Sequence, residues 1–284
     1  MSDRVVEPSH GRPDRHRLGP AALVTGASDG IGEACARHLA ARSVDLILVA
    51  RRRERLEALA QDLSGAHAID VTVIDADLGR PEDVAQVIAR TRHHDIGLLV
   101  AAAGFGSSGP FLDQPVDAEL DMVDVNCRAV VALAHAIGSR LVARGRGGIV
   151  LFSSIVAFQG VPRQATYAAS KAFVQSLAEG LRTEFKPRGV DVLAVAPGPV
   201  ATGFAARAGM SMGAADTSAA VAAAALDALG RTTTVRPGRL GKLLGFALST
   251  LPRRGRVLVM THIMRGMTRA RASSTAPAAP RPPA

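Results

Sequence analysis

The sequence predicts a three-layer α/β fold, in which one doubly wound parallel sheet lies between two layers of helices. Hydrophobic residues make up 48% of the chain and aromatic residues only 3%. A core of Ala, Val, Leu and Ile suits parallel strands that are buried on both faces. Short apolar runs also alternate along the chain with longer segments of helical periodicity. The length of 284 residues fits one such sheet in a single domain.

The first strand is predicted over residues 21–25, and a glycine-rich turn leads from it into a helix over about 31–41. Gly26, Gly30 and Gly32 allow the backbone to approach a pyrophosphate, which the N-terminus of the helix then stabilises. The turn also contains Gly26-x-Ser28-x-Gly30, the pattern of a hydrolase nucleophile elbow. In hydrolases that elbow follows several strands, whereas here it follows the first. The turn therefore predicts a dinucleotide site, with a hydrolase as the weaker alternative.

The second strand is predicted over residues 45–50 and is followed directly by Arg51-Arg52-Arg53. A carboxylate at this position binds the ribose 2′-hydroxyl of NAD, whereas an arginine favours the 2′-phosphate of NADP. Because no acid stands at the strand end, the sequence predicts NADP, with NAD less favoured. The alternative for the arginine run is a solvated start of the next helix, which extends to about residue 63.

The third and fourth strands are predicted over residues 71–75 and from residue 97, with a helix over 81–92 between them. A long helix follows over roughly 117–143. The glycine-rich stretch 105–110 stands between the fourth strand and this helix, where it could contact substrate.

Residues 153–171 contain the candidate chemistry. Tyr167 and Lys171 stand four apart, so on a helix they share one face. An ammonium group nearby favours phenolate, and we therefore expect Lys171 to lower the pKa of Tyr167. Ser154 follows the apolar run 148–152, which predicts a strand, and its hydroxyl could meet the same carbonyl oxygen as the phenol. Ser153 is the alternative, but strand neighbours face opposite sides, and the thirteen-residue spacing to Tyr167 selects Ser154.

Three motifs in this order resemble the short-chain dehydrogenases/reductases over roughly residues 20–235. They are Thr25-Gly26-Ala27-Ser28-Asp29-Gly30-Ile31-Gly32, the Ser154/Tyr167/Lys171 spacing, and Pro197-Gly198-Pro199-Val200-Ala201-Thr202. The resemblance implies a Rossmann-type fold and an NADP-dependent oxidoreductase. Such an enzyme transfers hydride between NADP(H) and a carbonyl or secondary alcohol, with Tyr167 as general acid/base. The implied catalytic residues are Asn126, Ser154, Tyr167 and Lys171.

The resemblance also implies individual roles around the cofactor. Asp77 would accept from the adenine amino group, and Lys171 would hold the nicotinamide ribose. Asn126 would hold a water that connects Lys171 to solvent, with an ordinary mid-helix asparagine as the alternative. The implied cofactor-binding set is Gly26, Ser28, Asp29, Gly30, Ile31, Gly32, Arg51, Arg52, Asp77, Leu78, Ala103, Gly104, Tyr167, Lys171, Pro197, Gly198, Val200 and Thr202. No metal site is predicted.

One motif departs from the family pattern. Most relatives have Asn-Asn-Ala-Gly where this chain has Ala101-Ala102-Ala103-Gly104. The missing amides usually brace the sheet beside the cofactor, so their loss bears on local rigidity rather than on chemistry.

The rest of the chain predicts a strand over 190–195, a substrate loop over 203–216, a helix over 216–229 and a last strand over 232–235. Two apolar stripes follow, one from Leu240 to Leu251 and one from Met260 to Met267, and basic residues flank both. They predict either a lid packed over an apolar cleft or helices that contact a membrane surface. The predicted organisation is a disordered tail 1–19, a catalytic domain 20–236, a basic amphipathic helical extension 237–270 and a disordered tail 271–284.

Residues 231–284 contain eleven Lys and Arg and no Asp or Glu, so the remaining 230 residues carry a formal charge of −2. No nucleic-acid motif accompanies the basic region, so we expect no nucleic acid to bind there, and an anionic membrane surface or an acidic acyl carrier is the alternative partner. Two distant cysteines and a polar N-terminal segment predict a cytoplasmic protein without a signal peptide. Relatives commonly form homodimers or homotetramers, which we expect here by resemblance. The alternatives are an NADP-binding sensor or scaffold without turnover, and a peripheral membrane protein that uses residues 237–270.

Overall fold

The computed structural model describes residues 19–203, 215–238, 241–242, 245, 247–248 and 250–262. The predicted N-terminal tail before residue 19, most of the predicted loop 203–216 and the predicted tail 271–284 lie outside these residues. Several members of the two apolar stripes also lie outside them, among them Leu240, Leu243 and Met267.

A seven-stranded parallel sheet forms the middle layer, in the spatial order β3-β2-β1-β4-β5-β6-β9. A second, two-stranded sheet pairs β7 with β8. The strands are β1 (Ala21–Thr25), β2 (Asp45–Ala50), β3 (Val71–Asp75), β4 (Ile96–Ala101), β5 (Gly147–Phe152), β6 (Val190–Val195), β7 (Val200–Ala201), β8 (Asp216–Thr217) and β9 (Thr234–Val235). The strand order reverses between β1 and β4, which is where ligands bind in doubly wound sheets.

Helices cover both faces of the sheet, as the sequence predicts. Alternate strand residues supply the two cores; Val24 packs on the face that carries α1, α2 and α7, and Leu23 on the face that carries α3, α5 and α6. Each fully buried leucine contributes about 1.5–3 kcal/mol. The helices are α1 (Gly30–Ala40), α2 (Arg53–Ala66), α3 (Pro81–Arg90), α4 (Val116–Val123), α5 (Ala129–Arg144), α6 (Ala165–Phe185) and α7 (Ser218–Ala228).

The long helix expected over 117–143 is interrupted. A π-helical turn over Asp124–Arg128 separates α4 from α5. Such a turn inserts one residue into the helix and changes the direction of nearby side chains. Here it contains Asn126, whose amide is buried and bonded outside the helix.

The C-terminal region returns to the main domain. Residues 253–262 form a helix, named α8 here, which places Met260 against the domain. No helix in the described part of the chain is both long enough and apolar enough to cross a bilayer. Cys35 and Cys127 are buried free thiols, and burial raises the pKa of Cys35 to about 12.

Candidate active site

The candidate residues meet at the carboxyl edge of the sheet, because parallel strands end there together. The glycine-rich turn follows β1, the arginine run follows β2, and Ser154 follows β5. The sequence predicts this common edge, and the structure determines how the side chains are arranged along it.

The glycine-rich turn packs tightly against the end of β4. Gly26 has φ +68°, and a Cβ on it would lie 2.8 Å from the backbone nitrogen of Ala103. That nitrogen donates to the hydroxyl of Thr25 at 3.1 Å. A Cβ on Gly32 would collide with the carbonyl oxygen of Gly26. Only glycines allow α1 to begin directly above the end of β1, where its first amides face the edge.

Asp29 precedes α1, but its side chain makes no capping hydrogen bond to the helix. Its Oδ2 instead lies 3.4 Å from Nη2 of Arg52. Arg52 also donates to Ser28, from Nε and Nη2 to the hydroxyl at 3.2 and 3.0 Å and from Nη2 to the carbonyl at 3.2 Å. This partner of Ser28 is a cation, whereas the nucleophile of the hydrolase alternative requires a base.

Arg51 points to the other side of the same edge. Its Nη1 lies 3.9 Å from Oδ2 of Asp77, and its side chain is 60% exposed. The second carboxylate oxygen of Asp77 accepts from the backbone of Gly79 at 3.1 Å. The two arginines follow Ala50 directly, so no acidic residue stands at the end of β2. An uncapped helix N-terminus beside two guanidinium groups offers donors to the phosphates of a dinucleotide.

Ser154 and Tyr167 are brought together. Ser154 begins a 3-10 turn (Ile155–Phe158) after β5, and its hydroxyl accepts from the backbone of Val156 at 3.4 Å. A hydrogen bond also connects the side chains of Ser154 and Tyr167. Burial raises the pKa of Tyr167 to about 12, and the bond to Ser154 opposes this with a smaller effect. The phenol is therefore protonated at neutral pH and can donate a proton.

Lys171 lies one turn after Tyr167 on α6 and is only 7% exposed. Its Nζ donates to the carbonyl of Phe152 at 2.9 Å and lies 5.8 Å from the centre of the Tyr167 ring. Burial lowers the pKa of Lys171 to about 8, while the Cys127 thiol acts in the opposite direction. The predicted net shift of the Tyr167 pKa towards neutral pH is wrong for this structure, because desolvation of the phenol outweighs the hydrogen bond that opposes it.

Asn126 connects the active-site helix to the loop after β4. Its Oδ1 accepts from the backbone of Phe105 at 3.1 Å, and its Nδ2 donates to Phe105 O at 2.9 Å and to the Ser170 hydroxyl at 3.0 Å. Ser170 in turn donates to the carbonyl of Tyr167 at 2.8 Å. These bonds fix the loop even though the chain has alanines at positions 101 and 102. A Cβ on Gly104 would lie 3.0 Å from Asn126 Oδ1 and 3.3 Å from Lys171 Nζ.

The C-terminal region covers this part of the edge. Leu248 and Met260 pack with Val156, Val161 and Ala168, and Ile155 and Tyr167 lie against the same cluster. A side chain on Gly198 would come within 3.6 Å of the backbone of Gly241. An apolar wall therefore stands beside the phenol of Tyr167.

The remaining predicted residues lie at the same edge with different exposures. The side chains of Leu78 and Val200 are buried in the two cores, which leaves their main chains to face a nucleotide. A Cβ on Gly30 would lie 3.0 Å from Thr202, so the loop that begins with Pro197 sits on the glycine-rich turn. Within the described residues, no cluster of three or more His, Cys, Asp and Glu could hold a metal ion.

Sequence reasoning missed Ser170, Phe158 and Arg236. Ser170 stands between Tyr167 and Lys171 on the same helix, and its contacts become visible only when α5 is placed beside α6. The guanidinium of Arg236 lies 4.5 Å from the centre of the Phe158 ring. Arg236 directly follows a predicted strand, and the carboxyl ends of parallel strands meet at one edge of the sheet. This position could have identified Arg236 from the sequence.

A family model described as short chain dehydrogenase matches residues 20–212. Among curated proteins, the chain is similar to very-long-chain 3-oxoacyl-CoA reductase of Anas platyrhynchos, with 36% identity over 190 residues. It is 31% identical over 188 residues to inactive hydroxysteroid dehydrogenase-like protein 1 of Homo sapiens. Each match covers 65% of this chain, and the chain spans only 61% and 57% of the two relatives' lengths.

Among solved structures, the chain is similar to a short-chain dehydrogenase from Sphingobium yanoikuyae in complex with NADPH. The TM-score is 0.76 and the identity 33%, with 93% of this chain and 98% of the other covered. The likeness extends past the residues that the family model matches.

Proposed function

Because this chain belongs to the short-chain dehydrogenase family, whose fold binds NAD or NADP, we propose that it is an NADP-dependent oxidoreductase acting on a carbonyl or secondary alcohol. The observation that carries this proposal is the hydrogen-bonded pair Ser154 and Tyr167, with Lys171 one turn away, at the edge that also carries the glycine-rich turn. An acid, an orienting hydroxyl and a cation in one place suit carbonyl reduction.

The cofactor, when bound, supplies or accepts the hydride. The first amides of α1 would hold its pyrophosphate, and Arg51 and Arg52 its 2′-phosphate. Asp77 keeps acceptor capacity for an adenine amino group, since Gly79 and Arg51 use its carboxylate only partly.

In the reductive direction, Tyr167 donates its proton to the carbonyl oxygen and Ser154 donates a hydrogen bond to the same atom. The raised pKa keeps the phenol protonated until the negative charge on that oxygen develops. Lys171 stabilises the phenolate that forms, because its Nζ is held beside the ring. Asn126 joins the loop after β4 to the helix that carries Lys171, and a proton relay from Lys171 to solvent beside it stays a prediction.

The substrate we propose is hydrophobic. Leu248 and Met260 form an apolar wall with Ile155 beside Tyr167, and this packing supports the lid alternative for the C-terminal region. The membrane-contact alternative has support in α8, where Leu258 is 71% exposed. A substrate panel in which small polar ketones react best would contradict the proposed hydrophobic substrate.

We propose a homodimer or homotetramer in the cytoplasm, in keeping with a family that generally oligomerises. Exposed apolar side chains on α4, α5 and α6, namely Leu120, Val131 and Phe173, support this assembly. The two buried free thiols are compatible with a reducing compartment. Sedimentation of Leu120→Glu should show smaller particles than the wild-type protein if these helices pair.

The second candidate is a nucleotide-binding protein without turnover, because one of the similar proteins is itself described as inactive. A fluorescence titration with NADPH and NADH separates the candidates when it is followed by a carbonyl panel. We expect NADPH to bind roughly tenfold to a hundredfold more tightly, since a charge-assisted contact contributes about 1.5–3 kcal/mol. Arg51→Ala should remove part of that preference.

The titration and the carbonyl panel together have three informative outcomes. Binding followed by carbonyl reduction supports the enzyme. Binding without any turnover across the panel supports the sensor, and binding of neither nucleotide contradicts the whole site.

A further inference from the structure

Arg236 carries a charge that nothing in the described structure neutralises. It is partly exposed, and its Nε is buried without a hydrogen-bond partner in the part of the chain that the structure describes. Its guanidinium stacks on the ring of Phe158. No Asp or Glu stands among residues 228–284.

The position of Arg236 links it to the active site. Val235 pairs with Val195 at the end of the sheet, so Arg236 emerges at the same edge as Ser154. Thr234 bonds to Gln175 of α6, and Arg236 stands two residues further along the chain, directly after the end of β9. Phe158 ends the 3-10 turn that Ser154 begins, so the backbone of Phe158 lies on the order of 8 Å from that of Ser154, and the guanidinium of Arg236 stacks on the Phe158 ring.

The surroundings of Arg236 are also those of the proposed substrate cleft. Ile155, in the same turn as Phe158, packs against the wall that contains Leu248 and Met260. A Cβ on Gly245 would lie 2.9 Å from Cδ of Arg236, so the C-terminal region holds the stem of the side chain. The phenol of Tyr167 therefore has an apolar wall beside it, and the guanidinium of Arg236 lies against Phe158 in the turn that follows Ser154.

We propose that Arg236 binds an anionic group of the substrate, a carboxylate or a phosphate, while the apolar wall holds the hydrocarbon part next to the carbonyl. This inference rests on the proposed function and narrows its substrate class to amphipathic anions. A guanidinium matches both groups, because its planar donors can bond two oxygens at once. Phe158 keeps the guanidinium in place before substrate arrives, which reduces the entropy lost on binding.

The alternative is that Arg236 has only a structural role and holds the C-terminal region against Phe158. Such a role would not distinguish a charged substrate from an uncharged one. A substrate pair that differs only in charge therefore separates the two explanations.

The test uses straight-chain oxo acids in which the distance between ketone and carboxyl group increases one carbon at a time. Each acid is paired with its methyl ester, and oxoalkyl phosphates of the same lengths distinguish phosphate from carboxylate. Turnover is measured with NADPH for wild type and Arg236→Gln. Arg231→Gln serves as the matched control, since Arg231 is exposed and precedes the same strand.

At the best chain length, we expect kcat/KM for the anion to exceed that of the ester by about tenfold, which corresponds to about 1.4 kcal/mol. Arg236→Gln should bring this ratio close to one, and Arg231→Gln should leave it unchanged. Gly245→Ala keeps the charge but pushes on the Arg236 stem, so it should reduce the ratio as well. A wild-type ratio near one for both anions at every length, or a preference that survives Arg236→Gln, would overturn the proposal.

Failure of this inference can be distinguished from failure of the proposed function. If the neutral esters are reduced without any preference for anions, the oxidoreductase stands and the Arg236 site does not. If no ketone reacts, the proposed function fails, and calorimetric titration of the acids and esters decides the Arg236 site alone. Tighter binding of the acids that disappears in Arg236→Gln would still support it, and equal binding of acid and ester would refute it.

Discussion

The carboxyl edge of the sheet has a nucleotide end, with the glycine-rich turn, Arg51 and Arg52, and a carbonyl end, with Ser154, Tyr167 and Lys171. Different interactions hold these two ends together. At the nucleotide end, Arg52 makes four polar contacts to the glycine-rich turn, and Arg51 lies largely in solvent beside Asp77. At the carbonyl end, Lys171 is almost completely buried, and Tyr167 packs against an apolar cluster. Interactions between solvated charges dominate at the nucleotide end, and desolvation of buried groups dominates at the carbonyl end.

Because of this difference, substitutions at the nucleotide end should change cofactor affinity, and substitutions at the carbonyl end should change the rate of the reaction. Substitution of an exposed arginine changes the affinity for one phosphate and leaves the core intact. Substitution in the buried region changes the protonation of the groups that we propose for the reaction, because burial has shifted the pKa values of Tyr167 and Lys171 in opposite directions. We therefore expect changes in the two regions to affect different kinetic parameters.

The largest expected effect tests the carbonyl end. Tyr167→Phe removes the proton donor but keeps the ring, so kcat should fall by about 10²–10⁴-fold. The affinity for NADPH should change much less, because the contacts expected for the pyrophosphate and the 2′-phosphate remain in place. Stopped-flow turnover and NADPH titration on the same preparation measure both quantities. Turnover close to that of the wild type would remove Tyr167 from the mechanism.

The next effect tests the nucleotide end. Arg52→Ala removes a phosphate donor and also the bonds that tether Ser28, so we expect NADPH affinity to fall roughly 30-fold and NADH affinity about threefold. Arg51→Ala should weaken NADPH binding about tenfold and leave NADH unchanged, because Arg51 does not contact the turn. Isothermal titration of both nucleotides against both variants gives the four values. Equal losses for the two variants would show that the tether is unimportant.

The nucleotide end was easier to predict from the sequence than the carbonyl end. Five of the strands have the predicted bounds or differ by one residue, because short apolar runs and glycine turns are local signals. Gly26 lies in the turn as predicted, whereas Gly32 lies in the first turn of α1, and a Cβ on either glycine would collide with neighbouring backbone. Backbone conformation at such positions depends on the residue itself.

Properties that depend on distant neighbours were not predictable. The helix expected over 117–143 is interrupted where Asn126 bonds to Phe105 and Ser170, which belong to other elements. The direction of the Tyr167 pKa was predicted wrongly, since the extent of desolvation follows from burial and not from spacing. Arg236 resembled the solvated basic residues around it until its position on Phe158 was known.

A third prediction compares two residues of α8. Met260 is 5% exposed against the wall, whereas Leu258 is 71% exposed. Met260→Ser should raise KM for long apolar ketones about tenfold, because an apolar contact of roughly 1.5 kcal/mol is lost, and Leu258→Ser should not change it. If α8 contacts a membrane, Leu258→Ser should weaken liposome binding and Met260→Ser should not. Loss of liposome binding in Leu258→Ser with unchanged KM in Met260→Ser would favour membrane contact over the lid.

The smallest expected effect concerns the buried cation itself. The folded-state pKa of Lys171 is about 8, below the ordinary 10.5, so between these values the unfolded chain binds a proton that the folded chain has released. The free energy of unfolding should therefore rise with pH in this window. Lys171→Met lacks this contribution and keeps the buried cysteines, whose raised pKa values act in the opposite direction.

Urea unfolding of wild type and Lys171→Met at about pH 7.5 and about pH 9 isolates the effect of Lys171. Relative to the variant, the wild-type protein should gain about 1 kcal/mol between these two conditions. A constant difference would mean that Lys171 stays charged across the window. Solvent or a bonded neighbour would then stabilise the ammonium, and the carbonyl end would resemble the nucleotide end more closely than the burial of its side chains indicates.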